Sequence, residues 1–556
     1  MYSFSKKERW ALAGLLVLLI PALLVNLGIV PLYVEEPRRA TVALEMMLRG
    51  NWLVPTINGE YYFLKPPLFN WILAGIYKLS GSTSEFITRI PTVASLLVLG
   101  LVIFLSGKKY VSFSFGALSA FLFVTASGNL FFNSLLAEID IFYSLVTFTS
   151  LIFLFHFYQK KNYTLLYLTV YFLGAIGLLT KGLPSLVFTG WSLFVFFLVN
   201  KDFKKLFSWA HLAGIILFLV ISGGYFILYN RDGDAQRYLQ YLSVESGKRL
   251  SGDTFWDYIK HMVLYPLDTL MNLLPASLLI IFTFRNSFLK DIRKNTYMKF
   301  ALLMLVAHFP VYWLPPGGRQ RYIIMLYPFI IQIFSYFFLK YFKEEEGKFN
   351  LFSKTITVAA GLAALGSLIP LFIKEMNFIN GLCAICLASF IILGAVFFFQ
   401  LKKPQYSILH LLALLLIMRI VFALVILPVR ATQGNAPNNK MAAARISEIV
   451  QNQDICILHP TYVPMQTIFY FENERKEILP VCKQVEPGKH LIAEKFFFEA
   501  YNYRREINSF MVNPLKPVSN HFSGDDQPGL AGYDYTTLLE FRLQKSNYLL
   551  ILIPHE

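Results

Sequence analysis

The chain has 556 residues, 56% of them hydrophobic and 15% charged, with a formal net charge of +16. Soluble proteins carry about 25% charged residues and single dry cores stop growing near roughly 250–300 residues, so these values exclude a soluble globular protein and point to a polytopic membrane protein. The basic residues lie in short clusters between apolar stretches, which is the positive-inside pattern and not a nucleic-acid patch, and four cysteines are too few for a disulfide scaffold.

The first apolar stretch, Trp10 to Val30, is too long for a signal h-region and has no A-x-A site after it, so it is expected to stay as an anchor. About 20 apolar residues cross a bilayer, and on that measure about thirteen spans follow one another. They are 10–32, 86–106, 113–132, 138–158, 163–180, 183–199, 207–229, 262–284, 298–315, 320–340, 355–373, 378–400 and 407–427. Lys6, Lys7 and Arg9 precede the first span. Lys108 and Lys109 follow the second, Lys160 and Lys161 the fourth, and Lys201, Lys204 and Lys205 the sixth. Every second loop is thus short and basic, as cytoplasmic loops are, which puts the N-terminus inside and, with an odd count, the C-terminus outside.

After Pro428 the composition becomes mixed. A helix is expected at Asn439–Gln451 and strands at Ile455–Leu458, Thr467–Phe471, His490–Ala493 and Tyr548–Ile553. The expected fold is mainly α: a polytopic membrane domain over residues 1–429, with outer loop helices within 33–85, followed by a small α/β domain over 430–556. Cys456 and Cys482 in that domain are either a disulfide or two buried thiols. Cys383 and Cys386 have redox spacing but sit mid-span among Leu, Ile and Ala, so no metal or redox role is expected there.

Charged residues concentrate in the outer loops. The first loop reads VEEPRRATVALEMMLRGNW from Val34, then FLKPPLFNW from Phe63. Pro37 suits a first helical position, Glu36 favours a helix N-terminus, and Gly50 ends the helix. Ala40, Ala43, Leu44, Met47 and Leu48 form one face of it, and Arg38, Thr41, Glu45 and Arg49 a polar stripe, a pattern that fits a helix lying in the membrane interface. A second such helix is expected at Leu68–Leu79.

Interfacial packing does not account for the adjacent Glu35 and Glu36 at the mouth of the first span. Further on, LLAEIDIFYSL sets Glu138 and Asp140 at the start of the fourth span. The loop 230–261 is long and Gly-punctuated, with Glu245, Lys248, Arg249 and His261 as candidate contacts; His261 is either a ligand for a divalent cation or structural. In LPPGGRQRYIIMLYP, Arg319 and Arg321 stand beside Tyr322 at the outer mouth of a span, against the positive-inside bias, and Lys181 in LLTKGLPS is a similar outlier. Guanidinium forks match phosphate oxygens. Carboxylates for proton transfer beside Arg38, Lys65, Arg249, Arg319 and Arg321 are what transfer from a lipid phosphate needs.

The segments VEEPRRA, NGEYYFLKPPLFNW, LLAEID, LLTKG and PPGGRQRYIIMLYP resemble bacterial membrane glycosyltransferases of the GT-C type, related to the lipid A aminoarabinose transferase and to protein O-mannosyltransferases. The resemblance covers essentially the whole membrane part. It implies a polyprenyl-phosphate sugar donor, a lipid A-like, other glycolipid or protein acceptor at the outer face of the inner membrane, and inversion at the anomeric carbon. It puts Glu35 in the place of the family's acid and Lys65 in that of its phosphate-contacting lysine; with the reading of the outer-loop charges, catalytic roles are expected for Glu35 and Asp140, donor-phosphate contacts for Arg38, Lys65, Arg249, Arg319 and Arg321, and substrate contacts for Glu36, Glu138, Glu245 and Tyr322. A monomer working with membrane lipid and without nucleic acid is expected.

Two positions depart from the family. Its loop motif begins Asp-Glu-Pro-Arg where this chain has Glu35-Glu36-Pro37-Arg38, and its aminoarabinose branch has an acidic metal ligand where this chain has Leu64. Leucine cannot ligate, so a metal held in the same way is not expected, and no other cofactor is implied. The alternative reading is a lipid or sugar transporter, which would show inverted repeats and ionisable residues near mid-bilayer.

Overall fold

The computed structural model describes residues 1–247, 255–459, 461–483, 489–494, 535–542 and 548–554. The chain forms two compact units. One comprises Met1–Ile29, Phe63–Ile72 and Ser84–Val429, the other Val30–Tyr62, Leu73–Thr83 and Arg430–Glu556. The division at residue 429 coincides with the change in composition, but much of the first outer loop groups with the C-terminal residues.

The first unit is helical, and each expected apolar stretch coincides with helical structure. Helix starts are set by side chains that accept otherwise orphaned backbone N–H groups: Ser5, Ser84, Ser112, Asn162, Ser208 and Asn295 each do so. Among the described residues eight helices are long and apolar enough to cross a bilayer, or up to ten if each of two bent pairs is one span. The expected span 262–284 is one of these pairs: Phe255–Asn272 and Ala276–Phe282 meet at 109°. Pro275, between them, has no N–H to continue a helical ladder. The expected span 113–132 is the other, with Phe113–Val124 and Ser127–Leu135 bent by 45°.

Burial separates an inner helix from outer ones. The helix Gln320–Tyr341 has 94% of its apolar stretch buried, against 28% for Trp209–Tyr229 and for Leu382–Lys402. Outer helices show Leu, Ile, Phe and Val to the bilayer, whereas the enclosed one is surrounded by protein. That enclosed helix opens with Arg321.

In the second unit five of the described strands form a mixed sheet. The strand Ile455–Leu458 runs parallel to both Val481–Cys482 and His490–Glu494, and the antiparallel hairpin of Tyr535–Arg542 and Tyr548–Pro554 completes the sheet beside His490–Glu494. Cys456 and Cys482 form a disulfide between neighbouring strands, with Cα atoms 5.8 Å apart. The run Thr467–Phe471, expected as a strand, lies instead in the helix Met465–Arg475. All five of its residues are buried, so the run shows no period that could tell helix from strand.

The loop helix Glu36–Arg49 ends at Gly50, which adopts a left-handed φ of 65°. Its apolar face does not lie bare for the membrane interface. Ala40, Leu44 and Leu48 pack in one core with Ala443, Ile446, Ile468 and Phe471. Leu44 is 2% exposed, and such burial contributes about 1.5–3 kcal/mol.

Two residues of the polar stripe, Thr41 and Glu45, are also buried. Glu45 accepts hydrogen bonds from Thr56 Oγ1 at 2.6 Å, the Asn58 backbone N–H at 2.5 Å and the Gly59 N–H at 3.2 Å, which fastens the Thr56–Tyr61 hairpin to the helix. Glu472 accepts the Leu479 N–H at 3.0 Å and lies against Glu45. Burial, with the Glu45 charge beside it, holds the Glu472 carboxyl well above the usual carboxylate range. Burial likewise raises Glu45, opposed by its Thr56, Gly59 and Asn58 donors and by the charge of Arg49. The two carboxyls therefore share the site as one charge and one proton.

A carboxyl whose pKa is raised by folding binds its proton more tightly in the folded state. Its contribution is full below the ordinary value of 4.5 and is lost as pH rises through the raised value. Glu472→Gln, which keeps a donor at every pH, is expected to flatten the fall in stability of this unit as pH rises above the ordinary carboxylate range. Thermal unfolding over that rise checks it, and an unchanged slope would show that the pair does not titrate there.

Candidate active site

In the membrane unit three charged side chains from distant parts of the chain meet. Asp140 stands in the first turn of the helix Ile139–Gln159, where the helix dipole favours an acid, and Lys181 ends the helix Tyr163–Lys181, where it favours a cation. The Lys181 ammonium donates to Asp140 Oδ1 at 2.6 Å, with both side chains nearly enclosed at 5% and 7% exposure. The Arg321 Nε lies 4.0 Å from Asp140 Oδ2. The ammonium also sits over the rings of Tyr143, at 4.7 Å, and Tyr322, at 5.1 Å. Glu138, buried at the N-cap of the Asp140 helix, adds its charge to the surroundings of Arg321.

Gly182 makes this junction feasible. It links the Lys181 helix to Leu183–Val199 with φ of 81°, a conformation that favours glycine. A Cβ there would lie 3.8 Å from Pro66 Cγ and 3.6 Å from Leu242 Cδ2. The Lys65-Pro66 turn therefore passes directly beside Lys181-Gly182, with Lys65 half-buried. The helix Ala235–Gly247 covers the same turn through Tyr238, whose ring centroid is 5.6 Å from that of Phe63.

From this cluster an apolar groove of about 210 Å³ runs along the membrane helices. Lys181 and Tyr322 stand with Gly318 at its polar end, and Leu183, Val187, Trp191 and Val311 line its length. Gly318 is a close approach: a Cβ there would fall 2.2 Å from the Tyr312 carbonyl oxygen. Val187, Trp191 and Val311 are 61%, 41% and 45% exposed, so the groove opens sideways. Such a site suits a molecule with an anionic head and a long hydrocarbon tail.

The other sequence candidates fall as follows. Glu35 and Arg38 belong to the second unit and pair with each other, Nη1 to Oε2 at 2.5 Å, both about one-third exposed. Glu36 is fully buried and accepts the Tyr33 N–H at 3.1 Å. Arg39, which the sequence reading passed over, is buried and donates to the Tyr62 hydroxyl at 2.9 Å.

Arg319 is exposed, and its carbonyl oxygen accepts the Tyr265 hydroxyl at 3.4 Å. Arg249 and the Glu245 side chain lie outside the described residues. The His261 ring packs against Tyr265 at 4.8 Å, and among the described residues no three His, Cys, Asp or Glu come together. Lys181, noted in the sequence only as a misplaced cation, stands at the centre of the membrane-unit cluster. That misplacement, a lysine opposite in side to the basic loops, was its signal.

Residues 64–225 match the family described as dolichyl-phosphate-mannose-protein mannosyltransferase. The chain is 26% identical over 320 residues to a protein of Aquifex aeolicus, covering 56% of this chain and 61% of that one. It is 30% identical over 200 residues to the undecaprenyl phosphate-alpha-4-amino-4-deoxy-L-arabinose arabinosyl transferase 1 of Proteus mirabilis, covering 35% of each. The chain thus spans less than two thirds of the length of these relatives. The crystal structure of ArnT from Cupriavidus metallidurans bound to undecaprenyl phosphate superposes with a TM-score of 0.69 at 15% identity, over 98% of both chains, and shows that this chain shares its fold.

Proposed function

We propose that this chain is a membrane glycosyltransferase that moves a sugar from a polyprenyl-phosphate donor to a lipid, such as a lipid A-like glycolipid, or to a protein at the outer face of the inner membrane. The observation that carries the reading is the apolar groove that reaches Lys181 and Tyr322, with Lys181 paired to Asp140 and Arg321 beside it. The mannosyltransferase family match and the aminoarabinose transferase and ArnT relatives support the same donor class.

In this reading the prenyl tail lies along Leu183–Trp191 and the phosphate is held by Lys181, Arg321 and Lys65, with Arg319 at the mouth. The Lys181 ammonium bonds one Asp140 oxygen and Arg321 lies 4.0 Å from the other, and in this reading Asp140 assists by holding the two cations in place. The glycosidic carbon–oxygen bond breaks with its electron pair going to the phosphate oxygen, where the cations stabilise the growing charge. The acceptor hydroxyl attacks the anomeric carbon from the opposite face, which inverts it, and passes its proton to a carboxylate, a role we assign to Glu35. Both hexosyl and pentosyl donors meet these requirements.

A transporter would carry its ionisable residues near mid-bilayer. Here Asp140, Lys181 and Arg321 occupy the ends of their helices. The deciding experiment is mass spectrometry of envelope lipids and glycoproteins with and without the protein. A sugar that disappears from one of them with the protein supports transfer, and unchanged glycosylation with altered lipid sidedness would support transport. Lys65→Ala is expected to weaken donor binding about tenfold or more, with little effect on the acceptor, as loss of a charged phosphate contact should. An unchanged apparent donor affinity would remove Lys65 from the phosphate site.

A further inference from the structure

A second groove, of about 380 Å³, lies elsewhere in the membrane unit, between the helices Lys6–Leu24, Glu85–Tyr110 and Phe113–Val124. That volume is within the roughly 300–1,000 Å³ of small-molecule sites. Its wall is apolar from Leu12, Leu16 and Leu19 across to Leu101 and Val124, with Arg9 as its one charged lining residue. From Arg9 to Leu19 the helix rises about 15 Å, which is half of a hydrocarbon core of about 30 Å. The groove is therefore one leaflet deep.

The mouth is arranged for an anion. Phe104 and Phe113 meet edge to face at 5.6 Å, and each carries a cation: Lys108 Nζ is 5.9 Å from the Phe104 centroid and Arg9 Cζ is 4.9 Å from that of Phe113. Arg9 Nε donates to the Phe4 carbonyl at 3.1 Å, which fixes the guanidinium's direction. Among the described residues no protein acceptor takes its terminal nitrogens. Lys6, Lys7 and Lys109 add to the same end of these helices. The nearby acid is withdrawn: Glu8 is buried and accepts from the Tyr2 hydroxyl at 2.9 Å and from Ser5 N and Oγ at 2.8 and 2.7 Å.

We propose that this groove is a binding site for one anionic phospholipid of the leaflet on the Lys6–Arg9 side, the cytoplasmic leaflet by the positive-inside pattern. Its phosphate sits between Arg9 and Lys108, and an acyl chain runs along Leu12, Leu16 and Leu19. Charge complementarity selects the occupant: a zwitterionic headgroup brings its own cation to a mouth that already holds two, while an anionic one does not.

The test is competition between phosphatidylglycerol and phosphatidylcholine of matched chains for the purified full-length protein, read by native mass spectrometry. The wild type is expected to retain one phosphatidylglycerol with about tenfold preference. Arg9→Gln with Lys108→Gln should bring the two lipids to parity, and Arg9→Lys should keep the preference. Ala13→Trp, an exposed groove position filled from the lipid side, should abolish retention of both. Equal retention of the two lipids by the wild type marks an ordinary lipid shell and overturns the proposal, as does a preference that survives the double exchange or the tryptophan.

Discussion

Lys181→Met is expected to abolish sugar transfer and to destabilise the membrane unit by about 3–5 kcal/mol, the usual result of leaving one partner of an enclosed ion pair without the other. Asp140→Asn should destabilise by a similar amount, since it strands the ammonium between Tyr143 and Tyr322. The combined Asp140→Asn/Lys181→Met variant separates the two roles of the pair. Removing both charges takes away the attraction and the desolvation penalty together, so stability should return close to that of the parent. Transfer should not return, because the phosphate has lost its enclosed cation. Thermal unfolding in detergent alongside a transfer assay reads both quantities. A double variant that regains turnover would mean that the pair only braces the helices and that the donor phosphate is held elsewhere.

The second large effect concerns the outer loop. Glu35→Gln is expected to lower turnover by about 10²–10⁴, the range lost when a general base is removed, while leaving the fold intact. The second half of that statement rests on exposure. Glu35 and its partner Arg38 are about one-third exposed, and surface ion pairs of this kind contribute only about 0–1 kcal/mol. Glu35→Asp, which restores the acid found in the related motif with one methylene less of reach, should retain part of the activity. Normal turnover in the glutamine variant, in membranes containing the same amount of protein, would take Glu35 out of the mechanism.

The helices were legible in the sequence because the bilayer demands long apolar runs, although the stretches 113–132 and 262–284 are each a bent pair of helices. What hydropathy cannot see is direction within a run, so the 109° turn near Pro275 inside the stretch 262–284 was missed. The run Thr467–Phe471 was read as a strand because β-branched and aromatic residues favour one, yet a helix buried on all sides serves equally well. The loop helix Glu36–Arg49 shows the limit of amphipathicity: its apolar face was plain, but whether lipid or protein covers it depends on residues about 400 positions away. Within the site, Asp140 and Arg321 were picked as charges in unfavourable places, and they do meet. Their link through Lys181 was not legible, since the pairing of a helix end with the start of another is a property of packing.

The core shared by Leu44 and Ala443 sets an order of events as the chain is made. At roughly 5–20 residues per second, the cover for the helix Glu36–Arg49 emerges some 20–80 seconds after the helix itself. Throughout that interval Ala40, Leu44 and Leu48 must be shielded by a chaperone or by the bilayer surface. A stop codon anywhere before residue 430 would make that waiting state permanent, so truncation at the end of the gene damages the part synthesised at its beginning.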